Sequence, residues 1–406
     1  MISEGECTKL SRIPGCETPV DHPGERMSTR APFSLASLRL DRLTARMDEH
    51  DFELLTLAQL RQNAGHAPLP CRVHAQVDLH QEKKTSTGSP YFEIKLADAG
   101  GSLVWRVFDN NPVLAEAREL RRGQFIQLSG NWVDGGKYGP EPRHPRLRPL
   151  TDDEAQDLLK GDAGLAERQR QDYAEIEAFM DSLADPRLRG LARLFLEKHG
   201  ARFRRTAAAR ENHHARRGGL VEHVAQMMRA AAAIAGVYPM LNRDLLLAGV
   251  LFHDCGKLWE NCYPESGFAM PYHLHGEMIG HIPLGMELVN KLWRELMDLP
   301  EAAEWAALEP ASDLARLHLL HLIAAHHGEL QYGSPVLPKT PEAVALHYVD
   351  NLDAKLEMLR RGYETSAEIG PGILERFRPW ATHILEPLAA HTPPAPAPSE
   401  DARETA

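Results

Sequence analysis

The spacing of apolar residues changes from helical to alternating near residue 70 and back to helical near residue 150. Between residues 70 and 150, segments such as CRVHAQVDL place apolar side chains at every second position, and turn sequences such as STGSP separate them. From Thr151 to about Leu385 the apolar residues recur at helical spacing instead. The two periods require two kinds of layer, so the sequence predicts a multidomain α+β protein with a small antiparallel β-module followed by an all-α domain.

Four or five short strands are expected within residues 70–150, with a helical insertion, NNPVLAEARELRRG, between the third and the fourth. This arrangement favours an OB-like β-barrel. The predicted organisation has a disordered N-terminus, a helical segment, the barrel, a helical linker, the all-α domain, a C-terminal helix and a disordered tail, at residues 1–32, 33–69, 70–150, 151–205, 206–365, 366–386 and 387–406. Met27 is an alternative start, because nothing before it resembles a folded segment.

Composition excludes several classes of protein. The five cysteines form no CxxC pair, which indicates neither a disulfide framework nor a thiolate zinc site. No apolar run approaches the roughly 20 residues that span a bilayer, and the N-terminus lacks the apolar core of a secretory signal. We therefore expect a cytoplasmic protein without a membrane partner. The net charge of −11 argues against binding nucleic acid through overall charge, although a local basic patch could still bind it.

Histidine and aspartate residues fall on the apolar faces of predicted helices. In LLLAGVLFHDCGKL, His253 shares a face with Leu246 and Val250 and is followed by Asp254. A carboxylate beside an imidazole is costly to bury unless it is paired or binds a metal. The same placement recurs in four further segments, at His223, at His281, at His326 and His327, and at Asp350 and Asp353.

Each of these residues alone is more simply explained as a hydrogen-bonded core residue. Together they supply imidazole and carboxylate donors without a thiolate, which suits a divalent ion such as Mn²⁺, Fe²⁺, Co²⁺ or Mg²⁺. Two ions bridged by one carboxylate would use the whole set. Such a pair can acidify water and hold the attacking and leaving oxygens of a phosphoryl group in line.

An isolated His, a His-Asp pair and a distant Asp resemble the HD superfamily of metal-dependent phosphohydrolases. Over about residues 70–365 the chain further resembles the YhaM-type 3′→5′ exoribonucleases, in which an OB fold precedes an HD domain. The blocks that carry this resemblance are HHARRGGLVEHV, VYPMLNRDLLLAGVLFHDCGK, GEMIGHIPLG, AAHHGELQYGSPVLP and EAVALHYVDNLDAKLEML.

The resemblance implies a set of ligands for two ions. The HD metal ligands would be His223, His253, Asp254 and Asp350. A second ion would be bound by His281 and His326, with Asp254 shared and His327 as the alternative to His326. Mn²⁺ is the expected ion, with Co²⁺, Fe²⁺ or Mg²⁺ as alternatives.

Lys257, in the HDCGK sequence, resembles the residue that contacts a phosphoryl oxygen in related enzymes. Asp254 and Lys257 are therefore the predicted catalytic residues. The alternative for Lys257 is a solvated lysine that complements a helix C-terminus. The segment between Glu260 and His275 matches the family poorly, so its substrate contacts are left unassigned.

The activity implied by the resemblance is hydrolysis of single-stranded RNA, and of single-stranded DNA as a further substrate, from the 3′ end to nucleoside 5′-monophosphates. A homo-oligomer is also implied. One alternative is an HD-type hydrolase of nucleotides or cyclic dinucleotides, which would not need the β-module. Another is a non-catalytic nucleic-acid-binding protein with a structural metal site, which the complete His and Asp set and Lys257 disfavour.

Basic and aromatic residues supply candidate substrate contacts. The stretch ARFRRTAAARENHHARRGG is rich in arginine and leads into the first ligand helix, so it could line a path for phosphates; the alternative is a solvated face. Aromatic residues of the barrel could stack on bases, although half or more of them are expected in its core. The predicted contacts are His213, His214, Arg216, Arg217, Tyr91, Arg106 and Phe108.

Overall fold

The structure is a computed structural model that describes residues 52–377 and 380–390. The predicted disordered N-terminus, the part of the predicted helical segment before residue 52 and the tail from residue 391 lie outside the described residues. Within the described ranges, no helix has the length and apolarity needed to cross a membrane.

An antiparallel sheet forms the N-terminal module. Its strands and helices are β1 (Glu53–Leu55), α1 (Leu57–Asn63), β2 (Leu69–Lys84), β3 (Pro90–Asp98), β4 (Gly101–Phe108), α2 (Leu114–Glu119), β5 (Phe125–Asp134) and β6 (Pro140–Pro149). The strand order is β4-β3-β2-β5-β6, and β1 pairs with β2 in parallel. The long β2 pairs with β5 through its first half and with β3 through its second half, with an irregularity between Val77 and Leu79. This order, with a helix between the third and fourth long strands, confirms the predicted OB-like module.

Alternation along the strands decides which side chains fill this module. Phe92, Ile94 and Leu96 of β3 are buried, as are Leu103, Trp105 and Val107 of β4. The buried Trp132 donates its indole N–H to the carbonyl oxygen of Cys71 at 3.2 Å, so its polar atom is satisfied inside the core.

Helices form the rest of the chain. They are α3 (Asp152–Lys160), α4 (Ala163–Asp181), α5 (Pro186–Phe203), α6 (Gly219–Val237), α7 (Arg243–Phe252), α8 (Leu274–Ile279), α9 (His281–Met297), α10 (Ser312–Ala325) and α11 (Pro341–Thr365). A 3₁₀ turn, Cys255–Trp259, follows α7. The segment predicted as a linker is helical, but α4 and α5 contribute Ile176, Leu191 and Phe195 to the same core as α6 and α7. The two helices therefore belong to the helical domain.

Two sequence-based predictions of helix are wrong. Residues 53–55 form strand β1 rather than the start of a helix, because their backbone pairs with residues 71–73 of β2. The predicted C-terminal helix at residues 366–386 contains three short strands instead, β7 (Glu368–Gly370), β8 (Ile373–Leu374) and β9 (Ile384–Leu385), which pair with one another. In both cases strand pairing outweighs the local helical pattern.

An irregular stretch, residues 260–273, joins the 3₁₀ turn to α8 and lies against the barrel; we call it the connecting segment. The side-chain oxygen of Gln76 accepts hydrogen bonds from the backbone N–H groups of Phe268 and Ala269, at 2.6 and 3.0 Å. Arg122 donates to the carbonyl oxygen of Met270 at 3.0 Å. The connecting segment therefore links the barrel to the helical domain.

Replacing Gln76 by Ala should destabilise this link. The buried Gln76 also donates to the carbonyl oxygen of Gly123, so the change leaves three backbone groups without their partner. We expect the free energy of unfolding to fall by about 2–4 kcal/mol, measured by urea denaturation. The Gln81→Ala variant, changed at an exposed position on the same strand, should differ little from wild type. Equal stability of both variants would show that the Gln76 contacts contribute nothing to stability.

Candidate metal centre

Two ligand candidates stand immediately after helix ends. Helix α7 ends at Phe252 and α10 at Ala325, so His253 and His326 occupy the following positions. The last turn of a helix leaves carbonyl oxygens without a partner within the helix. In each case the ring Nδ1 lies 2.8 Å from the carbonyl oxygen three residues earlier, Val250 or Ile323. Because a carbonyl only accepts, each Nδ1 carries the proton and each Nε2 is left with its lone pair.

The other imidazoles are oriented in the same way. His223 Nδ1 lies 2.6 Å from Asp353 Oδ2, and His281 Nδ1 lies 2.9 Å from Glu260 Oε2. His327 Nδ1 donates to the carbonyl oxygen of Tyr332 at 2.7 Å. Hydrogen bonds of this kind fix the tautomer and ring direction of metal-binding histidines.

The first group of donors surrounds one edge of Asp254. Its Oδ2 lies 3.3 Å from His253 Nε2 and 3.9 Å from His223 Nε2. Asp350 Oδ1 lies 3.3 Å from His223 Nε2 and 4.0 Å from His253 Nε2. All four residues predicted as the HD ligands therefore converge.

The second group lies on the other oxygen of the same carboxylate. Asp254 Oδ1 lies 3.5 Å from His281 Nε2 and 3.6 Å from His326 Nε2. His327 Nε2 is 3.3 Å from His281 Nε2, and the donor atoms of His281, His326 and His327 could hold one ion together. Both rings of the His326–His327 pair thus face this group, and Asp254 lies between the two groups.

The residues present fit divalent metal ions. The Nε2 atoms of His223, His253 and His326 and the Oδ1 atom of Asp254 are buried without a hydrogen-bond partner among the described residues. Unpaired buried acceptors that face one another are unfavourable unless a cation lies between them. Nitrogen and oxygen donors without a thiolate suit ions such as Mn²⁺ or Fe²⁺.

The pKa shifts agree with this interpretation. Burial, and then the neighbouring His253, lowers the pKa of His326 well below its usual value, so its ring is neutral. Burial alone would raise the pKa of Asp254, but Lys257 and His253 outweigh it and hold this pKa well below the usual range. Burial also lowers the pKa of His223, but the carboxylates of Asp350 and Asp353 raise it overall, to about 9. The carboxylates that favour a proton on His223 Nε2 would equally favour a metal ion there.

A glycine allows the two groups to meet. A Cβ at Gly256 would collide with the carbonyl oxygen of His281 and lie 2.7 Å from the backbone nitrogen of Gly285. Only glycine therefore lets the turn after Asp254 rest on the first turn of α9. Cys255 is not a ligand, because its sulfur faces the carbonyl oxygen of Gly285 and burial raises its pKa.

Lys257 and His213 lie beside the centre. Lys257 Nζ is 2.5 Å from Asp254 Oδ2, and its side chain is nearly buried. The ring of His213 packs against that of His223 at 5.5 Å, and its Nδ1 is buried without a partner among the described residues. Burial, and then the charges of His223 and Lys257, lowers the pKa of His213 to about 3, so this ring is neutral at physiological pH.

The other residues of the arginine-rich stretch have protein partners. Arg216 binds Glu222 and Glu357, and Arg217 donates to the carbonyl oxygens of residues 264, 265 and 267. His214 is buried and its Nε2 lies 3.1 Å from Asp353 Oδ2. Arg216 and Arg217 thus bind protein groups, whereas His214 keeps a buried Nδ1 without a hydrogen-bond partner among the described residues. The substrate contacts of all three residues stay predictions.

The barrel residues predicted to contact substrate form a small aromatic cluster. The rings of Tyr91 and Phe108 stack at 5.2 Å, and the Arg106 guanidinium lies 4.9 Å from the ring of Tyr138. Phe108 is 39% exposed, whereas Trp105 on the opposite side of the strand is buried. The structure thus brings Tyr91, Arg106 and Phe108 to one face of the sheet, as alternation predicted.

Sequence reasoning assigned no role to two carboxylates that orient ligands. Asp353 lies one helical turn beyond Asp350, and that spacing was the available signal. Glu260 is brought to His281 by the connecting segment, and nothing in the local sequence pattern indicates this contact.

Comparison with known proteins agrees with this geometry over the helical domain. Residues 220–355 match the family model described as the HD domain. The chain therefore contains an HD domain, which indicates the superfamily of metal-dependent phosphohydrolases. Among solved structures, the chain is similar to a replication factor A related protein from Methanobacterium thermoautotrophicum, with 16% identity, a TM-score of 0.19, and coverage of 25% of this chain and 94% of that one.

Replacing Asp353 by Asn should weaken metal binding. The neutral amide oxygen of Asn accepts the proton of His223 Nδ1 more weakly than the carboxylate does, so the ring is held less firmly. We expect the Mn²⁺ affinity of the group that contains His223 to fall about 10- to 100-fold, measured by competition with a fluorescent chelator. Asp313→Asn, at a carboxylate that is 89% exposed on α10, is the control. Unchanged affinity in Asp353→Asn would contradict this role.

Proposed function

We propose that this protein is a metal-dependent 3′→5′ exoribonuclease that cleaves single-stranded RNA, and single-stranded DNA as a further substrate, to nucleoside 5′-monophosphates. The observation that carries the proposal is the convergence of fixed imidazoles on the two oxygens of Asp254. That arrangement supports two-ion phosphoryl chemistry. The OB-like module held against the same domain supports a polymeric substrate.

The ligand groups described above would hold two divalent ions; we propose Mn²⁺, with Co²⁺, Fe²⁺ or Mg²⁺ as alternatives. When bound, such ions stabilise charge on phosphoryl oxygens and increase the acidity of water. The protein contributes rigid ligand positions, because each histidine is fixed through Nδ1. It also contributes a buried environment, in which electrostatic interactions are stronger than in water.

Lys257 and His213 are the proposed contacts to the reacting group. The Lys257 ammonium is held by Asp254 and can donate a hydrogen bond to a phosphoryl oxygen, offsetting the negative charge that develops there. The neutral His213 ring packs against that of His223 and offers an unpaired Nδ1. Asp254 has two roles, because it joins the ligand groups and positions Lys257.

The link between barrel and centre favours RNA over a free nucleotide. The connecting segment contacts the barrel through Gln76 and Arg122, and its first residue, Glu260, holds His281. The face at Tyr91, Arg106 and Phe108 thus belongs to a module that is held against the domain of the centre. A hydrolase of nucleotides or cyclic dinucleotides has no use for this second surface.

The double variant His253→Ala/Asp254→Ala tests the proposed centre. It removes ligands of both groups, so we expect Mn²⁺-dependent shortening of a 5′-labelled RNA to fall by at least 1,000-fold, in the range of ~10³ or more that follows loss of an essential electrostatic element. His383→Ala, at an exposed position, should shorten the RNA like wild type. Undiminished activity of the double variant would refute the assignment, provided that circular dichroism shows the variant folded.

Replacing Phe108 by Ala tests the barrel face. Stacking on an aromatic ring contributes about 1–3 kcal/mol per base, so we expect RNA affinity to fall roughly 5- to 100-fold in fluorescence anisotropy. Hydrolysis of methyl p-nitrophenyl phosphate should be unchanged, because the centre is intact. Leu54→Ala, at another exposed apolar residue of this module, is the matched control. Equal RNA affinity in both variants would contradict a role of this face in binding.

A further inference from the structure

The metal centre is partly accessible on the side where His281 lies. The side chains of His223, His253 and His326 are 0% exposed, whereas those of His281 and Asp350 are 14% and 17% exposed. His281 begins α9 directly after the short helix α8, and His327 lies beside it. A path past the residues that flank His281 and His327 is therefore open to a substrate.

Apolar and aromatic side chains are exposed on both sides of this opening. We call them the rim: Tyr272, Leu274, Met278, Ile279, Leu330 and Tyr332. The first four precede His281 in the chain, and the last two follow His327. A group of exposed apolar residues beside a buried polar site is typical of a binding surface.

Tyr272 is held on one side by an arginine. Its ring is 68% exposed and lies 4.0 Å from the Arg210 guanidinium. Arg210 is itself fixed, since its Nη2 donates to the carbonyl oxygens of Glu260 and Pro271 at 2.7 and 2.8 Å. Glu260 also binds His281, so a short chain of contacts connects Tyr272 to a metal-binding residue. The ring of Tyr272 is therefore positioned before any substrate binds.

Tyr332 is connected to the opposite side of the opening. Its carbonyl oxygen accepts the proton of His327 Nδ1, and its side chain is 59% exposed. It ends a 3₁₀ turn that Gly333, with φ of 88°, closes in a left-handed conformation. The backbone of Tyr332 thus orients the metal-binding residue His327, while the ring of Tyr332 is exposed at the surface.

We infer that Tyr272 and Tyr332 form a stacking site for the unpaired bases next to the phosphodiester that is cleaved. The inference rests on the proposed function, because it names the part of the RNA that this opening recognises. A phosphodiester in the centre has its nearest bases at the opening, and aromatic rings bind unpaired bases of any identity through their faces. The site therefore recognises single strands without sequence preference. Through Tyr272 it also gives the connecting segment a substrate contact, which sequence reasoning left unassigned.

The test compares Tyr272→Ala and Tyr332→Ala with Tyr272→Phe and with Tyr238→Ala, whose tyrosine is exposed at the end of α6. KM and kcat are measured with a single-stranded RNA and with the same RNA carrying two abasic residues at its 3′ end. We expect each rim alanine to raise KM for RNA about 10-fold, with Tyr272→Phe and Tyr238→Ala near wild type. The abasic RNA should be a poor substrate for the wild-type protein. Tyr272→Ala and Tyr332→Ala should not raise the KM for this RNA further.

Metal content and kcat for methyl p-nitrophenyl phosphate report whether the centre is intact in each variant. If both rim alanines keep the wild-type KM for RNA, or lose activity on RNA and on the small ester equally, the stacking site is refuted while the proposed function stands. If wild-type protein hydrolyses the small ester but neither binds nor shortens RNA, the proposed function fails and the inference fails with it.

Discussion

The hydrogen bond on the outer nitrogen of each histidine is the constraint on which the centre depends. Val250, Ile323 and Tyr332 supply backbone carbonyls, and Asp353 and Glu260 supply carboxylates. Since each acceptor binds the proton on Nδ1, the lone pair of each Nε2 faces inward. The Nε2 atoms of His223, His253, His281 and His326 therefore remain directed at one carboxylate, Asp254. The cost is several buried acceptors that need a cation between them.

This constraint also explains how the helices are arranged. His253 and His326 can donate to helix carbonyls because α7 and α10 end at the centre, where the last carbonyls are free. Gly256 then brings the turn after Asp254 against α9, which carries His281. The connecting segment extends the arrangement outward, since it supplies Glu260 at one end and contacts Gln76 of the barrel at the other. The connecting segment thus both orients a metal-binding histidine and joins the two domains.

Much of this organisation follows from sequence patterns. Alternation predicted the strands and separated the buried Trp105 from the exposed Phe108, and helical spacing placed His253 and Asp350 on core-facing sides. Contacts between distant segments were not predictable in this way. Strand β1 forms because residues 71–73 provide a partner, and the charge of Arg216 is neutralised by Glu222 and by Glu357 of α11. Glu260 lies in an irregular segment, whose sequence has no periodicity from which its contact with His281 could be predicted.

The central claim is that Asp254 lies between two metal ions held by the inward-facing histidines. Crystals of the protein grown with Mn²⁺ test it directly through anomalous X-ray scattering at the manganese edge. We predict two anomalous peaks on opposite sides of Asp254, one contacting His223, His253 and Asp350 and the other contacting His281, His326 and His327. Peaks elsewhere with none among these residues, in protein shown to be active with Mn²⁺, would contradict the account.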